Sequence, residues 1–179
     1  PGNGFYADFS YRAMDFDGYG QGGQTEFGFE GSADGYSLEM GYGYKMSSGL
    51  IVEPQFQYSS VDVDLNTIGY NMSDFELTDG DSSLLRIGAA LHKSYKTAGG
   101  NYWTPYGALS WLNETDGSNS YEIGGLLTGD VDTGGGSALF EAGVTGFIGN
   151  FGVSAGMNWR DGSAYDSVLG GQLSVRYDW

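Results

Sequence analysis

The chain of 179 residues has no cysteine, one histidine, three prolines and only seven basic residues. Without cysteine there is no disulfide framework and no thiolate metal site, and His92 alone cannot build a multi-histidine metal centre. Seven Lys and Arg against 23 Asp and Glu give a formal net charge of -16, which excludes a basic nucleic-acid or heparin binder. No apolar run approaches the ~20 residues that a helix needs to cross a bilayer. No signal peptide is visible, and Pro1 is not an initiator methionine, so the sequence reads as a mature chain or a fragment.

Glycine and aromatics are abundant instead: 33 Gly, 14 Tyr, 10 Phe and 4 Trp, spread from Phe5 to Trp179. Disordered acidic chains lack such aromatics. The length fits one domain, residues 1–179, and the composition suggests short twisted strands joined by many turns.

Alternation with period two recurs throughout. Phe151, Val153, Ala155, Met157 and Trp159 point one way, and Gly152, Ser154, Gly156, Asn158 and Arg160 the other. The same comb begins at Phe5, Leu38, Val52, Leu85, Trp103, Ala138 and Gly171. That makes eight strands, each about the 9–11 residues that a tilted membrane strand requires. Three connections are short, at Met46 to Gly49, Lys93 to Asn101 and Gly149-Asn150, and suit tight hairpins. Asp17 to Gly35, Asp62 to Ser82, Glu114 to Ser137 and Asp161 to Ser167 read as longer, polar connections. Short and long alternate, as in transmembrane barrels with short periplasmic turns and long extracellular loops, which puts both termini on the periplasmic side. Within the long connections, Glu26 to Glu30 and Tyr121 to Ile123 are candidate strand tips above the membrane.

A soluble β-sandwich also alternates with period two, but its outer comb should be rich in Lys, Glu and Thr. Here the polar comb carries Gly, Gln, Ser and charges of both signs. Asp8, Arg12, Glu39, Lys45, Glu53, Gln55, Arg86, Glu141, Arg160 and Arg176 are the candidate lining of a polar lumen, held by an ion-pair network. The apolar comb, with Tyr, Trp and Phe near strand ends, suits a lipid-facing band with aromatic girdles. The reading is all-β: an antiparallel transmembrane β-barrel with eight strands in this chain, its strand edges closed against lipid.

The C-terminal Leu173, Val175, Tyr177 and Trp179 resemble the signal read by the outer-membrane barrel assembly machinery, with Ser174 where that signal usually has glycine. More of the chain resembles the translocator β-domain of classical autotransporters, the type V secretion family of Gram-negative bacteria. Ser37-Leu38-Glu39-Met40-Gly41-Tyr42, followed by Glu53-Pro54-Gln55-Phe56-Gln57, is similar to that family's "SLEAGY" and "EPQAQ" strands. Leu84 to Gly88 resembles its "RLG" strand, Pro105 to Leu112 the following one, and Gly4 to Asp8 its "GFYVD" strand upstream. The resemblance implies an outer-membrane location and a covalently linked N-terminal passenger carried to and anchored at the cell surface. Outer-membrane lipids, lipopolysaccharide and the assembly machinery are the implied partners, and no cofactor is implied. Such barrels usually have twelve strands and an N-terminal helix in the pore, and the resemblance begins at roughly the fifth strand. The chain is then either the C-terminal portion of such a barrel or an eight-stranded barrel sharing its strand motifs. The family's lumen glutamate of the "PFVEANW" strand is Ala108 here, and no cleavage-site residue is carried over. The competing reading is a stand-alone small eight-stranded outer-membrane protein with an adhesion or membrane-structural role.

His92-Lys93-Ser94 has the spacing of a base and nucleophile, but catalysis needs a third, orienting group, and none is evident, so no enzyme is expected. Asp15 to Gly18, Asp79 to Asp81 and Asp130 to Asp132 are acidic pairs that could meet a hard cation, yet none completes an EF-hand, and no metal site is assigned. Five acids, Asp8, Glu39, Glu53, Glu141 and Asp178, fall on the polar comb beside bases; the other 18 fall in connections and strand tips. The charge is therefore expected as an acidic crown over a nearly neutral lumen.

Overall fold

The computed structural model covers residues 1–179 and is described for residues 3–22, 25–68, 75–123, 127–163 and 165–179. The eight combs fold as β1 (Gly4–Gly22), β2 (Thr25–Lys45), β3 (Ile51–Ile68), β4 (Phe75–His92), β6 (Tyr102–Glu114), β9 (Gly135–Ile148), β10 (Phe151–Gly162) and β11 (Tyr165–Tyr177). They lie in that order across a single antiparallel sheet. Between them sit a two-residue β5 (Tyr95–Lys96) and a hairpin of β7 (Ser118–Ile123) and β8 (Leu127–Asp132). No described helix is long and apolar enough to cross a membrane.

Two turns follow directly from residue chemistry. Gly49 adopts φ 81° in the turn after β2, closed by the Met46 and Gly49 amides on Leu50 and Met46 carbonyls. Gly149, φ 60°, opens the two-residue loop between Ile148 and Phe151; positive φ matches the twist of a tight hairpin. Pro54 lies inside β3, where it has no N–H to give the ladder. The β2–β3 register accordingly skips from Gly41↔Gln55 to Tyr44↔Val52.

The strands run longer than expected, 18 to 21 residues in β1–β4 against 12 to 14 in β6, β9, β10 and β11. The polar stretch after Asp17 keeps pairing to Gly22↔Thr25, with no proline to interrupt it. Likewise Asp161 to Ser167 is mostly strand: β10 and β11 pair up to Gly162↔Tyr165 across a bulge. β4 changes partner along its length, pairing with β6 from Leu84 to His92 and with β7 from Phe75 to Asp81. Glu114 sits where β6 ends, its Oε1 accepting from the Ser83 amide (2.7 Å) and the Ser82 hydroxyl (3.1 Å). Beyond it the sheet therefore continues as β1-β2-β3-β4-β7-β8.

The sheet curls toward its polar face. Side chains on that face reach across an intervening strand, as Tyr6 of β1 does to Glu53 of β3 and Arg86 of β4 to Glu141 of β9. The apolar face is convex and exposed, with Phe9, Ile87, Leu109, Trp111 and Leu173 each more than half accessible. Tyr36 and Tyr58 pair toward one end of this face (5.9 Å between rings), and Tyr95 on Trp103 (4.5 Å) and Phe151 against Tyr177 (5.1 Å) toward the end bearing the termini. From Trp103 to Trp111 a tilted strand rises about 20 Å, near the ~25 Å apolar band of an outer-membrane barrel.

The eight antiparallel strands form a curled half-barrel, in line with the reading of the chain as part of a larger barrel. The sheet does not close: among the described residues β1 pairs only with β2 and β11 only with β10. Barrel diameter grows with strand number. Here Tyr6, Arg86, Tyr106, Leu112 and Arg160 occupy the concave side, and the eight strands describe only part of the circumference.

Candidate functional site: the polar concave face

Register places all ten candidate lining residues on the same face. Asp8, Glu39, Gln57 and Arg86 form one cross-strand row, with Tyr6, Gly41, Gln55 and Gly88 in the next row toward the terminal end. Glu53 shares a further row with Ala90, Ala108 and Glu141, so Glu141 stands directly across from Ala108. Arg12 lies four residues beyond Asp8 on β1; Asp8, Ser10, Arg12, Glu39, Gln57 and Ser59 line a hollow of about 460 Å³.

The face divides into two walls. On β1–β3 the Tyr6 hydroxyl lies 2.9 Å from Glu39 Oε1 and 3.1 Å from Glu53 Oε1. Its one proton can serve only one carboxylate at a time. Gln55 Nε2 donates to Glu53 Oε1 at 2.8 Å. Nearby, Gln57 Nε2 donates to the Ser37 hydroxyl (3.2 Å), itself 2.8 Å from Ser59 Oγ. On β4–β10, Arg86 Nη2 meets Glu141 Oε2 at 3.0 Å while its Nε donates to the buried Ser110 hydroxyl at 3.0 Å. Arg160 Nε donates to Ser137, the most deeply buried side chain of the described residues, at 2.9 Å. Serines thus fix both guanidinium planes.

Arg176 stands apart, near the end of β11: it pairs with Asp178 (2.9 Å) in the open and lies 5.0 Å over the Phe147 ring. Lys45 ends β2, its backbone amide donating to Asn3 Oδ1 at 3.3 Å. Leu173, Val175 and Tyr177 line the convex face of β11, and Trp179 lies past its end, fully exposed. His92 and Ser94 do not pair; Ser94 Oγ is 2.7 Å from Thr104 Oγ1. Among the described residues no group of three His, Cys, Asp or Glu side chains converges as a metal site.

Tyr6, Ser110 and Ser137 were not singled out by sequence reasoning. A signal for Tyr6 existed: an aromatic on the polar comb opposite a glycine. The ring of Tyr6 lies over Gly41, where an added Cβ would meet its ring atoms at 2.5–2.6 Å. Tyr106 lies over Gly143 in the same way.

A one-sided apolar sheet with a glycine-bearing polar concavity is the wall of a membrane barrel, and the family model for the autotransporter beta-domain matches residues 1–160. The chain belongs to the autotransporter β-domain family. No curated protein and no solved structure matches it. The domain is an outer-membrane β-barrel domain with a translocator role, and its convex apolar face is the surface that meets the bilayer.

Proposed function

We propose that this autotransporter β-domain carries an N-terminal passenger to the bacterial cell surface and anchors it there. What supports the reading is the match to the autotransporter beta-domain over residues 1–160, together with an open, curled sheet whose polar concave face is bounded, among the described residues, by two unpaired edges, β1 and β11. In hydrocarbon an unpaired strand edge leaves backbone groups unsatisfied at several kcal/mol each. Strands from outside residues 1–179 are proposed to complete the wall and enclose a lumen lined by Asp8, Arg12, Glu39, Lys45, Glu53, Gln55, Arg86, Glu141, Arg160 and Arg176. The role of these side chains is electrostatic lining and bracing. Lipopolysaccharide and outer-membrane lipids then surround the convex face, and Leu173, Val175, Tyr177 and Trp179 present the assembly machinery with its C-terminal signal.

The test uses the full-length precursor in its native outer membrane. External protease on intact cells should remove the passenger that precedes the completing strands and leave a protected, heat-modifiable β-domain. A passenger that stays protected until the cells are broken overturns the reading. The stand-alone eight-stranded barrel requires β1 to pair with β11, so cysteine pairs scanned between Ala7 and Leu173 and their strand neighbours should fail to crosslink; efficient crosslinking favours it instead.

A further inference from the structure

Of the seven bases, register puts Arg12, Lys45, Arg86, Arg160 and Arg176 on the concave face. Lys96 joins them: it pairs with Tyr102, whose row runs through Phe147 and Gly152 to Arg176. Lys93 is the exception. Its amide donates to the Pro105 carbonyl at 3.3 Å, continuing the register from His92↔Tyr106 to Tyr95↔Trp103. It therefore shares the convex, apolar row of Pro105, Val144, Ala155 and Leu173. A lysine on the lipid face of a barrel is costly at the midplane and tolerated near the interface. Lys93 accordingly runs toward the end bearing the termini: its Nζ lies 5.2 Å from the centroid of the Tyr95 ring, and its Cε lies 3.8 Å from where a Cβ on Gly49 would stand. The Tyr95 ring in turn stacks on Trp103 at 4.5 Å. No carboxylate among the described residues is in ion-pair contact with Lys93; Asp8, Glu39, Glu53 and Glu141 face the other way, and Asp178 pairs with Arg176.

We propose that Lys93, Tyr95 and Trp103 form a binding site for the headgroup of one anionic phospholipid, in the leaflet that meets the end bearing the termini. The proposal rests on reading the convex face as lipid-facing and the termini as periplasmic. A phosphate there supplies the counter-charge that the protein withholds from Lys93, and a basic side chain beside an anionic lipid surface is attracted to it. The ammonium carries three donors, and the Trp103 indole N–H and Tyr95 hydroxyl add two more at the level where such rings settle. Above the headgroup, Leu91, Ala89 and Ile87 follow Lys93 up the same face of β4, with Leu91 47% and Ile87 53% exposed. They give an acyl chain an apolar track. Charge complementarity selects this end of the band for an anion, because the outer face at the other end carries Asp15, Asp17, Glu30, Asp34, Asp62 and Asp64.

The test is native mass spectrometry of the full-length precursor, extracted in non-ionic detergent, stripped of lipid and titrated with phosphatidylglycerol, phosphatidylcholine or lipopolysaccharide. The wild type should retain one more phosphatidylglycerol per chain than Lys93→Gln, with apparent affinity at that site lowered about five-fold by the substitution. Lys93→Arg should keep the lipid, and Lys96→Gln, on the concave side of the same connection, should change nothing. Heat-modifiable migration of each variant shows that it is folded. An equal loss in Lys96→Gln would trace the effect to the charge of the rim and overturn the site. So would equal retention of phosphatidylcholine, or lipopolysaccharide displacing phosphatidylglycerol. Asn150→Cys, in a turn at the same end, separates failure of the site from failure of the orientation when intact cells are treated with a membrane-impermeant maleimide. An unlabelled turn without the extra phosphatidylglycerol sinks only this site, whereas a labelled turn sinks the periplasmic reading of the termini.

Discussion

The two walls of the concave face handle glutamate differently. On β4–β10, Arg86 answers Glu141, and Ser110 holds the guanidinium in place. On β1–β3, Glu39 and Glu53 are answered by one phenol proton and one amide, with an oxygen of Glu53 left over. A charge-matched wall is a brace, complete within the chain. On the other wall no base among the described residues is in ion-pair contact with Glu39 or Glu53, although Arg12 lines the same hollow as Glu39. Overall net charge does not reveal this division, because both walls lie within one sheet and share its rows.

The largest effect is expected from breaking the brace. Arg86→Ala leaves Glu141 and the buried Ser110 hydroxyl without their donor. Both partners are partly accessible, 24% and 33%, so the loss should sit below the 3–5 kcal/mol of a fully buried pair, at about 2 kcal/mol. Glu141→Gln keeps an acceptor for Arg86 and should cost roughly half as much. Denaturant titration of the refolded domain, read by heat-modifiable gel migration, measures both; equal losses would mean that the pair is not the brace.

Next come the glycines beneath the tyrosines. At Gly143 an added Cβ meets the Ala155 carbonyl oxygen at 2.5 Å and the Tyr106 hydroxyl at 2.6 Å, so backbone must move. At Gly41 the three nearest atoms all belong to the end of the Tyr6 side chain, which can swing away. Gly143→Ala should therefore cost about 1–3 kcal/mol by overpacking. Gly41→Ala should cost less in unfolding but displace Tyr6 from both carboxylates. The same titration orders the two; a larger loss at Gly41 would show that the tyrosine–carboxylate cluster is itself a brace.

Much of this was legible in the sequence. The eight combs, their order and their two faces follow from period two, and the turns from Gly49 and Gly149. Strand length was not, because Arg12 to Gly35 is polar and rich in glycine, and pairing there is decided by the partner strand beneath it. Alternation alone did not choose between a closed and an open sheet, since it fixes which face a side chain takes but not how sharply the sheet curls; the partial barrel was one of the two alternatives that the family resemblance implied. At the site, the polar comb named Glu39, Glu53, Arg86 and Glu141 without saying who pairs with whom. Arg86 meets Glu141 55 residues away, across an intervening strand. Only curvature brings them together.

Tyr6→Phe is a smaller and cleaner probe of the acid-surplus wall. It keeps the ring over Gly41 and removes the proton that both glutamates share. The expected loss is about 1 kcal/mol, the net worth of a typical hydrogen bond. The loss should vanish when Glu39→Gln and Glu53→Gln are introduced together, since an amide brings its own N–H donors to the cluster. A double-mutant cycle with no coupling would mean the hydroxyl does not bridge the carboxylates.

The smallest effect is expected beyond the aromatic end of the band, where the sheet extends as β1–β4. On the outer face of β1–β3, register sets Asp17 opposite Glu30 and Asp34 opposite Asp62, with Asp15 and Asp64 flanking Ser32. Like charges directly opposite one another destabilise a ladder by a few tenths of a kcal/mol. Asp62→Asn relieves two such pairs, with Asp34 on β2 and with Asp81 on β4, while leaving the Tyr11 hydroxyl bonded to Asp34. It should stabilise the domain by about 0.3 kcal/mol at low ionic strength, and the gain should disappear near 1 M salt, where the screening length is about 3 Å. The two walls of the concave face make the opposite case, since partly buried groups are screened far less. The Arg86→Ala loss should accordingly stay nearly constant over the same salt range, and a parallel fall of both would show that the concave face is as open to ions as the outer one.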